Sequence, residues 1–158
     1  MVEIKKFNEN YTSDVKDIML QICLNEYKCH MWSNSHYMQD WKTWIISQQF
    51  EYFRFYPTHM PMAFEDNKLV GFGSIKKINN DTIEIRRLYV LPEYRNRSVG
   101  KQLYSSLLKE ITALSGISNI QCLVSVPFIE AINFFTKRGF AITFFDPKKL
   151  EYRLEKYI

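Results

Sequence analysis

The stretch that decides the fold is residues 83–108, IEIRRLYVLPEYRNRSVGKQLYSSLL. Its first part is rich in β-branched and aromatic side chains, which predicts a strand over Thr82 to Leu91. Pro92 ends that strand, and a basic loop follows. Apolar residues then recur at helical spacing, which predicts a helix carrying Val99, Leu103, Leu107 and Ile111 on one face.

The turn between this strand and this helix is the strongest candidate for a binding site. Its residues 95–101, RNRSVGK, open a helix, and the first turn of a helix has backbone N–H groups that attract anions. Within residues 86–101 five basic side chains face one acidic side chain, Glu93. A capped surface helix with solvated arginines is the simpler alternative. Such a local charge suits one polyanionic ligand better than a long nucleic-acid footprint, so no nucleic-acid partner is predicted.

The rest of the chain extends this strand–helix unit in both directions. Helical spacing predicts two N-terminal helices, the first capped by Thr12, Ser13 and Asp14 and the second by Ser33 or Ser35. From Met60, short β-prone runs and turn residues predict an antiparallel meander. Beyond the central helix follow a strand at 120–126, a helix at 128–138 and two strands at 140–145 and 150–156. Strands joined by a helix must be parallel, so we expect an α+β sheet mixing parallel and antiparallel pairs.

Composition bounds the class of protein. The 158 residues are 46% apolar and 24% charged, as in an ordinary globular protein, and we expect a single domain over residues 1–158. The three cysteines lack C-x-x-C spacing, and His30 and His36 do not share a helical face with Cys29, so no metal site is predicted. No apolar segment suits a signal peptide or a membrane span. A cytoplasmic location and no membrane partner are therefore expected.

Three features of the chain carry a family resemblance: the predicted order of elements, the stretch 83–108, and the later sequence AINFFTKRGF at residues 131–140. Through them the chain resembles the GNAT superfamily of N-acetyltransferases over residues 69–145. The resemblance implies a central mixed, mainly antiparallel sheet with splayed parallel strands, flanked by helices. It also implies acetyl-CoA as the cosubstrate and direct attack by a primary amine in a ternary complex. The acceptor could be a small molecule or a peptide, and a homodimer is compatible with the sequence.

The family's loop [R/Q]-x-x-G-x-[G/A] cradles the pyrophosphate of acetyl-CoA, and here Arg95 and Gly100 match its ends. Ser98 replaces the inner glycine. The backbone of the preceding strand would bind the pantetheine, and an N–H near Val90 would polarise the thioester carbonyl. The resemblance thus assigns cofactor binding to Leu88, Tyr89, Val90, Arg95, Asn96, Arg97, Ser98, Val99, Gly100, Lys101, Phe128 and Phe135.

The resemblance places Glu84 where many family members have a glutamate that deprotonates the amine. The alternative is an exposed partner of Arg86 on the same strand face. Phe135 stands where the family often has a tyrosine that protonates the leaving thiolate, and Phe128 stands where it has asparagine. These departures keep open a second function, a CoA-binding or regulatory module without turnover.

Ten of the 25 aromatic residues fall between Tyr27 and Tyr56. The resemblance makes this stretch the best candidate for a wall of the acceptor site, represented by Trp32, Trp41 and Trp44. Ordinary core packing is the alternative, and it must account for several of these rings in any case.

Overall fold

A computed structural model describes residues 1–22 and 60–158. Seven strands, three α-helices and two 3₁₀ turns lie in these ranges. The strands are β1 (Glu3–Lys6), β2 (Pro61–Glu65), β3 (Lys68–Lys77), β4 (Thr82–Val90), β5 (Asn119–Ser125), β6 (Ala141–Asp146) and β7 (Glu151–Tyr157). The helices are α1 (Thr12–Ile22), α2 (Val99–Thr112) and α3 (Ile129–Thr136), and the 3₁₀ turns are Glu9–Tyr11 and Pro92–Tyr94.

The strands form one sheet in the order β1-β2-β3-β4-β5-β7-β6. The pairs β1–β2, β2–β3, β5–β7 and β6–β7 are antiparallel, whereas β4 and β5 are parallel. The parallel ladder ends at Ile85 and Cys122, although β4 continues to Val90 and β5 to Ser125. The prediction of an α+β fold with a mixed, mainly antiparallel sheet is confirmed.

Two details of the N-terminal segment differ from the prediction. Strand β1 was not expected, because its four residues EIKK are too few and too charged to stand out from the sequence. The capping residue at this end is Asn8, whose side chain accepts a hydrogen bond from the backbone N–H of Asn10 and caps the 3₁₀ turn. Thr12 begins α1 but its hydroxyl donates to the carbonyl of Glu9.

The second strand–helix–strand unit also differs in one respect. Strands β5 and β6 are each antiparallel to β7, so they run in the same direction as predicted, but β7 is inserted between them. The hairpin that allows this follows Asp146, whose side chain accepts hydrogen bonds from the N–H groups of Lys148 and Lys149. The tight turn makes β6 and β7 neighbours, and the pairing of β7 with β5 places β7 on the inner side.

The chain divides into two compact units, Met1–Gly73 with Leu88–Leu107, and Ser74–Arg87 with Leu108–Ile158. In the described part of the first unit, a core cluster consists of Val15, Ile18, Met19, Met60, Met62, Phe64, Leu69, Phe72 and Leu91, and a second of Ala63, Val70, Val90, Val99 and Leu103. In the second unit, the buried apolar residues include Ile83, Ile85, Ile120, Cys122, Phe135, Phe140 and Leu154. A single domain over residues 1–158 stays a prediction.

Gly71 has a packing role in the first unit. A Cβ atom at this position would lie 2.6 Å from the carbonyl oxygen of Tyr89 and 3.3 Å from the Cα of Val90. Only glycine permits this close approach of backbone to backbone.

In the described residues, no helix is long and apolar enough to cross a membrane.

Candidate active site

The loop before α2 has an unusual backbone. Asn96 and Ser98 both have left-handed conformations, with φ of 57° and 64°. Ser98 immediately precedes the helix, and its carbonyl accepts the hydrogen bond of the Gln102 N–H at 3.0 Å. A left-handed residue other than glycine costs about 1–2 kcal/mol, and asparagine tolerates the conformation better than serine. Ser98 therefore keeps a backbone that glycine would adopt without strain.

The first turn of α2 is suited to an anion. The N–H groups of Val99, Gly100 and Lys101 have no acceptor within the helix, because they lie in its first turn. No acidic side chain lies in that turn, and Lys101 is exposed there. Positive partial charge from the helix end and a nearby ammonium group together favour a phosphate at this position.

Two of the three basic side chains predicted to surround the loop make contacts within the first unit. The Nε of Arg95 donates to the carbonyl of Val90 at 3.0 Å. The Nη2 of Arg97 donates to both carboxylate oxygens of Glu65, each at 2.8 Å. Glu65 lies 32 residues before Arg97, so no local sequence signal could have identified it as the partner.

The end of β4 supplies backbone groups, some of which are already occupied. The N–H of Leu91 donates to the carbonyl of Val70 at 2.9 Å, so it is not the donor expected near Val90. Tyr89 is half-buried, and its ring meets that of Phe72 edge-on with centroids 5.6 Å apart. Leu88 packs against the second core cluster of the first unit. The pantetheine-binding role of Leu88, Tyr89 and Val90 stays a prediction.

Glu84 lies in the second unit, where it is only 5% exposed. Its Oε1 accepts a hydrogen bond from the Nε of Arg86 at 2.6 Å, and its Oε2 accepts one from the Nε2 of Gln121 at 3.0 Å. The parallel register of β4 and β5 places Glu84 opposite Gln121. A buried carboxylate needs such donors. Each oxygen can still accept a second hydrogen bond, so the group has the capacity to receive a proton.

The alternative interpretation of Glu84 was an exposed partner of Arg86; the contact with Arg86 is present, but the carboxylate is buried. Sequence reasoning also missed Gln121, which holds the other oxygen. The available signal was an amide between the apolar residues Ile120 and Cys122 in the strand NIQCLVS. A polar side chain in such a strand requires a partner, although the sequence does not say which residue supplies it.

Two further titratable groups in the second unit respond to Glu84. Burial raises the pKa of Glu151, and the negative charges of Glu84 and Asp146 raise it further, while Lys149 and Arg86 act in the opposite direction. Burial, aided by the charge of Glu84, raises the pKa of the Cys122 thiol well above its usual range. Cys122 therefore stays protonated and is a poor nucleophile.

Phe135 and Phe128 have structural contacts of their own. Phe135 is 5% exposed, and its ring centroid lies 5.1 Å from that of Phe140 and 5.4 Å from that of Phe134. Phe128 is half-buried at the start of α3, and its N–H donates to the carbonyl of Ser125 at 3.0 Å. Both rings thus have a place in the fold, while their binding roles stay predictions.

Several predicted positions lie outside the described residues. These are the second helix and the aromatic positions Trp32, Trp41 and Trp44, together with Cys23, Cys29, His30 and His36. Within residues 1–22 and 60–158, no group of three or more histidine, cysteine, aspartate or glutamate side chains is arranged to hold a metal ion.

Comparison with known proteins decides the family. The profile of the acetyltransferase (GNAT) family matches residues 24–140, more than half of the chain. The chain belongs to the GNAT acetyltransferase family. Among curated proteins, the spermidine N(1)-acetyltransferase of Thermoplasma acidophilum is 35% identical over 80 residues, which are 51% of this chain and 48% of that protein. The match therefore spans about half the length of this GNAT relative.

Solved structures agree on the fold. The PaiA N-acetyltransferase of Thermoplasma acidophilum, solved in complex with coenzyme A, superposes with a TM-score of 0.78 at 22% identity, covering 100% of this chain and 99% of that one. A GNAT acetyltransferase from Staphylococcus aureus also gives 0.78, at 18% identity and 99% coverage of both chains. At these identities the likeness shows the fold, and the GNAT fold predicted from the sequence is confirmed.

Proposed function

We propose that this chain is an N-acetyltransferase that moves the acetyl group of acetyl-CoA to a primary amine by direct attack in a ternary complex. The observation that carries the proposal is the left-handed backbone of Ser98 at the N-terminus of α2. This residue departs from the family's glycine, yet it has the positive φ that a glycine at this position accommodates without strain. Selection for the loop's shape explains why the strain is kept.

The residues present fit the diphosphate of coenzyme A. The first-turn N–H groups of Val99, Gly100 and Lys101 and the ammonium group of Lys101 would hold it, and the backbone of Leu88, Tyr89 and Val90 would bind the pantetheine. Coenzyme A supplies a thioester, from which the acetyl group is transferred. The helix end attracts the diphosphate whatever the acceptor is, so cofactor binding is separable from acceptor choice.

Glu84 is the proposed general base. An alkylammonium group with a pKa of about 10.4 is neutral in roughly one molecule per thousand near pH 7.4, so freeing the amine costs about 4 kcal/mol. Glu84 would take that proton, directly or through a water molecule, while Arg86 and Gln121 hold its carboxylate in place. A thiol with a pKa of about 8.5 leaves as thiolate at a cost of about 2 kcal/mol at pH 7, so an acid at Phe135 is dispensable.

Polyamines are the first acceptors to test, since the curated relative is a spermidine acetyltransferase. Other small amines and peptide N-termini follow. We place the reaction in the cytoplasm, where cysteines without disulfide spacing stay reduced.

The second candidate function is a module that binds coenzyme A without turnover. The packing of Phe135 favours it, because a core phenylalanine occupies the position of the family's proton donor. Measuring coenzyme A binding and acetyl transfer on the same protein distinguishes the two candidate functions.

The experiment measures both properties on the same protein. Calorimetry with coenzyme A is expected to show binding, and thermal melting at 100 times the dissociation constant should show about 2.7 kcal/mol of added stability. Thiol release from acetyl-CoA is then followed with spermidine, other amines and a peptide. Amine-dependent release supports the enzyme. Binding without release to any amine supports the module, and the absence of binding contradicts both.

A further inference from the structure

We infer that Glu65 and Arg97 are a positioning pair that holds the 95–98 loop in its left-handed conformation, and that Arg97 is not itself a phosphate ligand. The inference rests on the proposed function of this loop in binding coenzyme A. It assigns a role to Glu65, which no sequence pattern singles out, and it changes the role predicted for Arg97.

The contacts of Arg97 are those of a fixed side chain. Its Nη2 lies 2.8 Å from each oxygen of Glu65, and the Glu65 side chain is only 14% exposed. The guanidinium carbon lies 5.2 Å from the centre of the Tyr94 ring. Tyr94 in turn packs against both core clusters of the first unit. Arg97 is therefore held on one side by a carboxylate at the end of β2 and on the other by an anchored ring.

The position of Arg97 along the chain makes this contact relevant to the loop. Arg97 lies between Asn96 and Ser98, the two residues of this loop that have a positive φ. Each of these conformations is strained relative to extended or helical backbone, so the loop needs an external contact to keep it. A long side chain tied to β2 supplies that contact at the residue between the two strained positions.

The charges allow a decisive test, because the two roles of Arg97 predict opposite effects. If Arg97 were a phosphate ligand, Glu65 would compete with the phosphate for it, and Glu65→Gln would strengthen binding of coenzyme A. If the pair positions the loop, the same change releases Arg97, loosens the loop and weakens binding, even though it makes the region more positive.

The test compares Glu65→Gln, Arg97→Gln, Arg97→Lys and the double variant Glu65→Gln/Arg97→Gln. Calorimetry with coenzyme A should show each single change weakening binding by about three- to tenfold, with the double variant no weaker than either single one. One nitrogen of Arg97 contacts both Glu65 oxygens, and the single nitrogen of a lysine can do the same, so Arg97→Lys should retain more affinity than Arg97→Gln. The KM for the amine and kcat should change little.

Glu93→Gln is the matched control. Glu93 forms a neighbouring ion pair with Lys68 at 3.7 Å in which both side chains are more than half exposed. Like Glu65→Gln, this substitution removes one negative charge in the same region, and little effect on binding is expected.

Hydrogen exchange of the Arg95 and Gln102 amides, measured without ligand, provides the second readout, because these amides donate to the carbonyls of Pro92 and Ser98. Their exchange should be faster in Glu65→Gln and Arg97→Gln than in the wild type and the control. Tighter or equal binding by Glu65→Gln, or unchanged exchange in both Glu65→Gln and Arg97→Gln, would each overturn the inference. A wild-type chain that does not bind coenzyme A would overturn the proposed function, and exchange would still decide whether the pair holds the loop.

Discussion

At the scale of single residues, the structure gives the backbone conformations and the contact partners that a sequence motif does not specify. Ser98 illustrates this, because the family pattern has glycine there and glycine adopts a left-handed backbone without strain. The motif identified the position, and the structure shows a φ of 64° that the motif could not supply. Gln121 and Glu65 illustrate the opposite case, since their partners Glu84 and Arg97 are 37 and 32 residues distant. The first contact follows from the parallel register of β4 and β5 and the second joins the end of β2 to a loop, so neither can be predicted from local sequence.

At this scale we predict that Ser98→Gly stabilises the protein. Glycine relieves about 1–2 kcal/mol of left-handed strain and loses about 0.4–1 kcal/mol through the greater freedom of the unfolded chain. The net gain should be about 1 kcal/mol in urea unfolding. Ser105→Gly, at an exposed position inside α2, is the control and should destabilise by about 0.5 kcal/mol. A loss of stability in Ser98→Gly would mean that the serine side chain contributes more than its backbone costs.

Elements place residues of similar type in different electrostatic surroundings, and β7 shows this at its two glutamates. Burial and the charge of Glu84 raise the pKa of Glu151. The hydrogen bond from the hydroxyl of Thr143 lowers the pKa of Glu155, with a further contribution from Asn119, although burial acts against it. Thr143 is on β6 and Asn119 on β5, so the position of β7 between these strands produces the effect.

The two shifts predict opposite responses to neutralisation. A lowered pKa contributes stability above the ordinary value of 4.5, which is lost as the pH falls through the folded-state pKa. A raised pKa contributes stability at low pH, which is lost as the pH rises through the folded-state pKa. At pH 7 we therefore expect Glu155→Gln to lower the free energy of unfolding and Glu151→Gln to raise it, each by less than about 1 kcal/mol.

Urea unfolding of both variants at pH 7 and pH 4 is the measurement. Each difference from the wild type should shrink at pH 4, where the carboxylates take up protons. If both substitutions changed the free energy of unfolding in the same direction at pH 7, the opposite pKa shifts assigned to Glu151 and Glu155 would be contradicted.

Strand β3 makes a further prediction through Gly71. Gly71→Ala should destabilise the protein by about 2–4 kcal/mol, because its Cβ would lie 2.6 Å from the carbonyl oxygen of Tyr89 and the backbone must move. Gly139→Ala is the matched comparison. Gly139 has a φ of 87° but no atom within 3.8 Å of an added Cβ, so only left-handed strain of about 1–2 kcal/mol applies. Thermal melting that ranks Gly139→Ala as the more damaging change would contradict the close approach at Gly71.

For the whole molecule, the order of elements from Met60 onward could be predicted because strand and helix periods alternate clearly there. Two features could not. The charged β1 is defined by its pairing with β2, and the position of β7 between β5 and β6 is defined by its pairing with both, which the pattern of either strand does not specify. For the candidate site, the family resemblance singled out the loop and Glu84, whose roles stay predictions, but it could not identify Glu65 and Gln121, the partners that contact them.

The central claim is that Glu84 receives the proton of an amine that attacks acetyl-CoA. The most direct test is the rate of amine-dependent thiol release in the wild type and in Glu84→Gln, measured from pH 6 to about pH 10. We predict a loss of about 10² or more near pH 7, with coenzyme A affinity unchanged. The loss should shrink as the pH approaches the amine's own pKa of about 10.4, where the base is no longer needed. Equal rates of the two proteins at pH 7 would contradict the claim.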